Sequence, residues 1–166
     1  KKAGEKYDMA VVTEAMTEEQ IDLVCEYADI VQIGARNMQN YDLLRKAGAC
    51  NRPVMLKNGL AAFHDEWLLA AEYILAGGNP NVILCERGIR THDKEVRFTL
   101  RIGSIPVLRE LTHLPIVVDP SHAAGKARWV ADHATAGIAA GCDGLIVEVH
   151  PRPEEALSDG AQSLDQ

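Results

Sequence analysis

The chain has 166 residues, 47% of them hydrophobic, which is enough for one domain with a substantial core. Its net charge of -7 argues against nucleic acid as the main partner, because phosphate backbones are bound by an excess of Lys and Arg. No apolar stretch approaches the roughly 20 residues that span a bilayer, and no signal segment opens the chain. We therefore expect a single soluble, cytoplasmic domain over residues 1–166 that binds neither nucleic acid nor membrane.

Six short apolar runs rich in β-branched residues predict six strands, with helical patterns between them. The opening segment KKAGEKYD looks like the tail of a helix that leads into the first strand. The strands are predicted to begin at Met9, Asp29, Pro53, Asn81, Pro115 and Gly144. Starts 20 to 34 residues apart are typical of successive βα units, so the sheet should be parallel.

Four further helices are predicted over residues 17–28, 65–76, 104–111 and 126–140. Thr17 and Gln20 fit a capping box at the start of the first of these, and Ser104 fits the N-cap of the third. The apolar side of the second should consist of Leu68, Ala71, Ile74 and Leu75.

The strand runs are continuously apolar, as in strands that are buried on both faces. This pattern is typical of a TIM (β/α)₈ barrel or of a doubly wound sheet, and periodicity alone does not choose between them. If the parent fold is a closed eight-stranded barrel, two βα units are absent at the start, on the order of 50 residues. Such a chain should have exposed apolar sheet edges that promote association.

Three predicted strands are followed directly by a cation. Arg36 comes after the second strand, Lys57 after the third and Arg87 after the fourth. Ligands of parallel α/β folds bind at the carboxyl ends of the strands, where these cations should converge. Together they suit a phosphate plus a carboxylate, as in phosphoenolpyruvate. The alternative is that each is an ordinary solvated side chain at a strand end.

An imidazole and two carboxylates fall near the ends of the last strands. His122 and Glu148 lie near the ends of neighbouring strands, and Asp159 lies in the following loop. These side chains could bind one divalent ion. Spacing alone slightly favours a hydrogen-bonded His and a salt-bridged Glu, whereas the cost of an unpartnered carboxylate on a barrel strand favours function.

Five motifs occur at the expected strand ends and in the order of one enzyme family. They are QIGARNMQN, KNGL, NVILCERGIRT, LTHLPIVVDPSH and GLIVEVHPRPEEALSDGAQSL. Over essentially the whole chain, they resemble the type I 3-deoxy-D-arabino-heptulosonate 7-phosphate (DAHP) synthases, particularly the subgroup related to 3-deoxy-manno-octulosonate 8-phosphate synthase. The resemblance implies a TIM (β/α)₈ barrel, here N-terminally truncated to about six βα units, or three-quarters of the barrel.

The resemblance also implies an activity, which is condensation of phosphoenolpyruvate with erythrose 4-phosphate, the first step of the shikimate pathway to aromatic amino acids. It implies a homo-oligomer, a dimer or tetramer. Arg36, Lys57 and Arg87 match the family's phosphoenolpyruvate contacts, while His122, Glu148 and Asp159 match three of its four metal ligands. Of these, Lys57, His122 and Glu148 are expected to be catalytic.

The family's fourth metal ligand is a cysteine in a GPCS-like segment, which we expect upstream of this chain. The chain's own cysteines lie outside any such motif; they are Cys25, Cys50, Cys85 and Cys142. With a thiolate in the ligand set, Mn, Fe, Co or Zn would suit the site better than Mg.

Two other functions stay open. The sister enzyme, 3-deoxy-manno-octulosonate 8-phosphate synthase, shares the phosphoenolpyruvate site but uses arabinose 5-phosphate, and GARNMQN with ALSDGAQSL favours the DAHP enzyme. From another class, the chain could be a non-catalytic barrel fragment or a binding domain whose strand-end charges are structural. A real metal site requires that His122, Glu148 and Asp159 reach one common point.

Overall fold

The computed structural model describes residues 1–165 of the chain, which divide into two compact units, Lys1–Leu84 and the part from Cys85 onward. The elements of the first unit are α1 (Lys2–Tyr7), β1 (Val12–Glu14), α2 (Glu18–Tyr27), β2 (Ile30–Ile33), α3 (Tyr41–Gly48), β3 (Val54–Lys57), α4 (His64–Ala76) and most of β4 (Val82–Glu86). The second unit contains the end of β4, then α5 (Ser104–Leu111), β5 (Ile116–Val118), α6 (Pro120–Ala124), α7 (Ala127–Ala139) and β6 (Gly144–Leu145).

Each of the six predicted strands is present, and the strand pairs whose register is defined are parallel. In the first unit β1 pairs with β2 and β2 with β3, and in the second β5 pairs with β6. Within each unit the strands follow one another in chain order. Strands that alternate with helices and pair in parallel confirm the predicted α/β class.

The core of the first unit lies between its strands and the helices α2, α3 and α4. Leu56 and Trp67 are fully buried there, and the Trp67 indole nitrogen donates a hydrogen bond of 3.3 Å to the Leu56 carbonyl. The helices α3 and α4 approach closely where Gly48 meets Gly77, since a Cβ on Gly48 would lie 2.6 Å from the Ile74 carbonyl oxygen. Only glycine fits at this crossing.

Several predicted helix details are wrong by about one residue. The predicted capping box does not form, because the Gln20 side chain accepts from the Met16 N–H rather than from that of Thr17. The helix α5 begins at Ser104 with Gly103 as its N-cap, because a turn from Arg101 to Ser104 already starts the winding.

The apolar face of α4 is also rotated from the prediction. Its buried side consists of Trp67, Ala70, Ala71 and Ile74, whereas Leu68 and Leu75 are only half-buried. Burial of the large indole sets this orientation. The sequence patterns gave no prediction for α3, which begins at Tyr41. Its N-cap is Asn40, whose side chain accepts from the Leu43 N–H.

Burial on both faces holds for β3 but fails for β1 and β6. All four residues of β3 are buried, whereas every residue of β1 is exposed. In the second unit Leu145 and Val149 are exposed. Val12 of β1 is a further exposed apolar side chain, while association through these edges stays a prediction. Among residues 1–165, no helix is long and apolar enough to cross a bilayer. The single-domain boundary stays a prediction.

Candidate functional site

In the first unit, two of the predicted cations follow neighbouring parallel strands. Lys57 is the last residue of β3, and Arg36 lies in the 3-10 turn Ala35–Asn37 directly after β2. The register pairs Ile33 with Leu56, so both cations lie at the same end of the strand pair. Lys57 is buried, with 6% of its surface exposed, whereas Arg36 is exposed.

Arg36 also lines a cavity of about 390 Å³ at these strand ends. The other lining residues include Met38, Gly59 and Glu66. The Gly59 N–H donates to the Met38 sulfur at 3.0 Å, so these two lining residues are joined by a hydrogen bond. This volume is comparable to that of sites for small ligands.

In the second unit, the third predicted cation is placed in a buried position. Arg87 directly follows β4 and is 4% exposed. Burial lowers the pKa of its guanidinium, an effect that the nearby carboxylate of Asp119 opposes. The preceding residue, Glu86, is fully buried and accepts hydrogen bonds from Arg101 and from the Gly88 N–H. Whether Arg36, Lys57 and Arg87 converge on one ligand stays a prediction.

The short helix α6 holds His122. Asp119 is the N-cap of this helix, and its Oδ1 accepts from the His122 N–H at 2.9 Å. Pro120 occupies the first turn, and Gly125 ends the helix in the left-handed conformation. The other carboxylate oxygen of Asp119 lies 2.8 Å from Nδ1 of the His122 ring. Among residues 1–165, Nδ1 itself makes no hydrogen bond of good geometry, whereas Nε2 is the ring nitrogen that faces Glu148 and Asp159.

Glu148 and Asp159 reach the same point from the segment that follows β6. The Glu148 N–H donates to the Ser121 hydroxyl at 3.0 Å, which ties this segment to α6. A parallel bridge between Val149 and Leu164 then returns the chain to the segment that contains Glu148. Asp159, in the left-handed conformation with φ 55°, begins the 3-10 turn Gly160–Gln162.

The three predicted metal ligands therefore form one cluster. Nε2 of His122 lies 3.5 Å from Oε1 of Glu148 and 3.8 Å from Oδ2 of Asp159. One ligand atom from each residue lies within 4.8 Å of the others, as around a shared ion. The side chains are between 20% and 35% exposed, so a metal ion and a substrate could reach them. An imidazole nitrogen and two convergent carboxylates fit a metal ion.

The residues that support this cluster were not predicted from the sequence. Nη1 of Arg97 donates to Oδ1 of Asp159 at 2.6 Å and to Oε1 of Gln162 at 2.7 Å. Arg97 lies 62 residues before Asp159, and no sequence pattern links the two. The role of Asp119 could have been inferred, because an Asp-Pro at the start of a helix three residues before a His predicts an N-cap.

Comparison with known proteins agrees with this geometry. A sequence profile of the DAHP synthetase I family matches residues 1–166. The chain is 56% identical over 165 residues to the phospho-2-dehydro-3-deoxyheptonate aldolase of Thermotoga maritima, covering 99% of this chain and 49% of that protein. It is 35% identical to a 2-dehydro-3-deoxyphosphooctonate aldolase of Nitratidesulfovibrio vulgaris, covering 96% of this chain and 61% of that protein. The chain thus spans about half to three-fifths of the length of these relatives.

Solved structures give the same result. The crystal structure of the Thermotoga maritima phospho-2-dehydro-3-deoxyheptonate aldolase (DAHP synthase) superposes with a TM-score of 0.97 at 57% identity, over 99% of this chain and 48% of that one. A truncated form of the Thermotoga maritima 3-deoxy-D-arabino-heptulosonate 7-phosphate synthase gives the same TM-score, with 63% of that chain covered. These matches confirm the predicted fold class, a TIM (β/α)₈ barrel of which six βα units are visible. The chain belongs to the DAHP synthetase I family.

Proposed function

We propose that the protein condenses phosphoenolpyruvate with erythrose 4-phosphate and water to give DAHP and inorganic phosphate, the first step of the shikimate pathway. The observation that carries the proposal is the cluster of His122, Glu148 and Asp159 in the same unit as the buried Arg87. The family and the 56% identity to a phospho-2-dehydro-3-deoxyheptonate aldolase support it. A purely structural role for the three ligand side chains would not require their convergence.

A divalent ion held by His122, Glu148 and Asp159 would act as a Lewis acid toward the aldehyde of the sugar phosphate. The family's cysteine would complete the ligand set, and a thiolate together with the imidazole and carboxylates would suit Mn, Fe, Co or Zn. Asp119 accepts from the backbone N–H of His122 and lies 2.8 Å from Nδ1 of its ring, and the Ser121 hydroxyl accepts from the Glu148 N–H.

The cations would hold phosphoenolpyruvate by its phosphate and carboxylate. Lys57 and Arg87 are buried, so their charges are less screened by water than those of surface cations. Arg36 adds a third charge at the strand ends, in a cavity that could accept a small ligand. Fixed in this way, C3 of phosphoenolpyruvate attacks the aldehyde carbon, water adds at C2 and phosphate leaves. Charge that develops on the phosphate and carboxylate is stabilised by the same cations.

A second candidate is the sister reaction with arabinose 5-phosphate. The 35% identity to a 2-dehydro-3-deoxyphosphooctonate aldolase favours it as the alternative, although this identity is lower than the 56% to the heptonate enzyme. Both reactions use the same phosphoenolpyruvate site, and the two sugars differ by one carbon. The cytoplasmic location and the homo-oligomeric state, dimer or tetramer, stay predictions.

The test is phosphate release from phosphoenolpyruvate by the Mn²⁺-loaded protein, with the upstream segment that carries the family's cysteine included, because the truncated chain alone is expected to be inactive. Each sugar phosphate is supplied in turn. We expect release with erythrose 4-phosphate and a loss on the order of 10³-fold in the variant His122→Ala, because the metal supplies several kcal/mol of transition-state stabilisation. His113→Ala is the matched control, since His113 is an exposed residue outside the cluster. Release with arabinose 5-phosphate alone would assign the sister reaction. No release with either sugar would support the non-catalytic alternative.

A further inference from the structure

A short segment of the second unit contacts both halves of the candidate site. Residues 97–99, here termed the strap, return toward β4 after a loop whose ends are joined by an antiparallel bridge between Ile89 and Thr99. The Thr91 and Thr99 hydroxyls lie 2.6 Å apart, which closes the loop further. The strap is thus held in place independently of the candidate metal site.

The backbone of the strap is bound to the helix that contains His122. The Phe98 N–H donates to the Ala123 carbonyl at 2.9 Å, and the Arg97 N–H donates to the Ala124 carbonyl at 3.3 Å. Two glycines make room for it. A Cβ on Gly88 would lie 2.8 Å from the Phe98 Cβ, and one on Gly125 would lie 2.5 Å from the Arg97 Cβ. The strap therefore packs between Gly88 and Gly125.

The two side chains of the strap contact different groups. The Arg87 guanidinium carbon lies 3.8 Å from the centroid of the Phe98 ring, a cation–π contact with a buried cation. The Arg97 guanidinium bonds one oxygen of Asp159, while the other oxygen faces Nε2 of His122. The same Nη1 also bonds Oε1 of Gln162 in the turn that follows Asp159.

We propose that Arg97 and Phe98 are positioning residues, through which one strap orients the metal ligand Asp159 and the phosphoenolpyruvate-binding Arg87. Arg97 holds Oδ1 of Asp159, so that Oδ2 is directed toward the shared metal position. Phe98 supports one face of the Arg87 guanidinium and thereby orients this side chain for an anion. The inference rests on the proposed function for the identity of the anion, but its metal half does not depend on catalysis.

The metal half is tested by titrating the metal-free protein with Co²⁺ alone, monitored by calorimetry and by the visible d–d spectrum. We expect Arg97→Ala to weaken binding roughly 10- to 100-fold, as does removal of other groups that orient a metal ligand. Arg97→Lys should recover part of the affinity, because it retains one charged donor. The side chain of Arg97 is 43% exposed, so its loss should cost little stability.

The matched control is Arg128→Ala, which removes an exposed arginine that contacts only the Trp129 ring among the interactions described for residues 1–165. Unchanged Co²⁺ affinity and an unchanged spectrum in Arg97→Ala would overturn the metal half. Equal losses in Arg97→Ala and Arg128→Ala would do the same, because they would indicate a general charge effect.

The anion half is tested by equilibrium binding of phosphoenolpyruvate to Phe98→Leu and Phe98→Tyr, without any sugar phosphate. We expect Phe98→Leu to weaken binding roughly 5- to 30-fold with unchanged Co²⁺ affinity, and Phe98→Tyr to restore it, because only the aromatic ring supplies the cation–π contact. Phe63→Leu, at an exposed position of the first unit, is the control.

The outcomes separate the inference from the proposed function. Binding of Co²⁺ and phosphoenolpyruvate that depends on Arg97 and Phe98, without turnover of either sugar, would uphold the strap and overturn the proposed function. Turnover of erythrose 4-phosphate, together with Co²⁺ and phosphoenolpyruvate binding that does not depend on Arg97 or Phe98, would uphold the proposed function and overturn the strap. Unmodified protein that fails to bind phosphoenolpyruvate would overturn the Phe98 half.

Discussion

The two compact units position their candidate site residues in different ways. In the first, Lys57 ends β3 and Arg36 lies in the turn directly after β2, so the register of two adjacent strands places both. In the second, Asp159 lies near His122, while the bridge from Val149 to Leu164 closes the chain around it and Arg97 bonds its carboxylate. The comparison indicates that the predicted anion contacts of the first unit depend on strand register, whereas the candidate metal cluster depends on segments that are distant in sequence.

Among the substitutions that test this comparison, we expect Lys57→Met to have the largest effect on activity. The substitution keeps much of the buried aliphatic chain of Lys57 but removes its charge, so kcat/KM for phosphoenolpyruvate should fall on the order of 10²- to 10³-fold. Metal affinity should not change, because Lys57 is not one of the three clustered ligand residues. Steady-state kinetics and a Mn²⁺ titration of the same preparation measure the two quantities.

Lys46→Met is the matched control for this prediction. Lys46 forms an ion pair with Asp22 on the surface, and its loss should leave both kcat/KM and metal affinity near their original values. If Lys57→Met also reduced Mn²⁺ affinity, the assignment of Lys57 to anion binding alone would be incorrect.

A matched pair of glycine substitutions should give intermediate effects of different size. Gly125 has φ 71° and would place a Cβ 2.5 Å from that of Arg97, so Gly125→Ala should lower the free energy of unfolding by about 1–3 kcal/mol. Because Arg97 must shift, Co²⁺ affinity should fall as well. Gly34 has φ -70°, and its added Cβ would meet only the end of the exposed Glu14 side chain, which can move.

Gly34→Ala should therefore remain within about 1 kcal/mol of the unmodified protein. Urea unfolding of both variants, with and without Co²⁺, tests the pair. Equal destabilisation by the two substitutions would show that the second unit does not depend on the packing of the strap in the way described.

The smallest effect concerns Asp143, which ties β6 to β5 in the second unit. One of its oxygens accepts from the Ile116 N–H at 2.7 Å and the other from Arg109, and these bonds lower the pKa of the carboxyl from its ordinary value. A lowered pKa means that the stabilisation is present above the unfolded-state value of about 3.9 and is lost as the pH falls through the folded-state pKa.

Asp143→Asn should accordingly lower the free energy of unfolding by about 1 kcal/mol at pH 7. The difference from the unmodified protein should shrink as urea unfolding is repeated toward acidic pH. The exposed Asp22 provides the control, since Asp22→Asn should change stability by less than about 0.5 kcal/mol at either pH. A difference for Asp143→Asn that grows on acidification would contradict the assigned direction.

The parts of the fold that could be predicted from sequence are those encoded by local composition. The apolar runs located all six strands, and the motifs after them located the three clustered residues His122, Glu148 and Asp159. The roles of Arg36, Lys57 and Arg87 stay predictions. The rotation of α4 could not be predicted, because burial of Trp67 depends on its partner Leu56. Arg97 could not be found either, since its contact with Asp159 joins residues 62 positions apart through a segment without regular structure.

The bridge between Val149 and Leu164 encloses a surface excursion with one fully exposed side chain, that of Leu157, at 105% relative exposure. The 3-10 turn Pro153–Glu155 contains no buried residue. Ala156, by contrast, is half-buried and lies near Gly160, next to Asp159. Replacement of Leu157 removes no packing, so Leu157→Cys is suited to carry a fluorescent reporter close to Asp159.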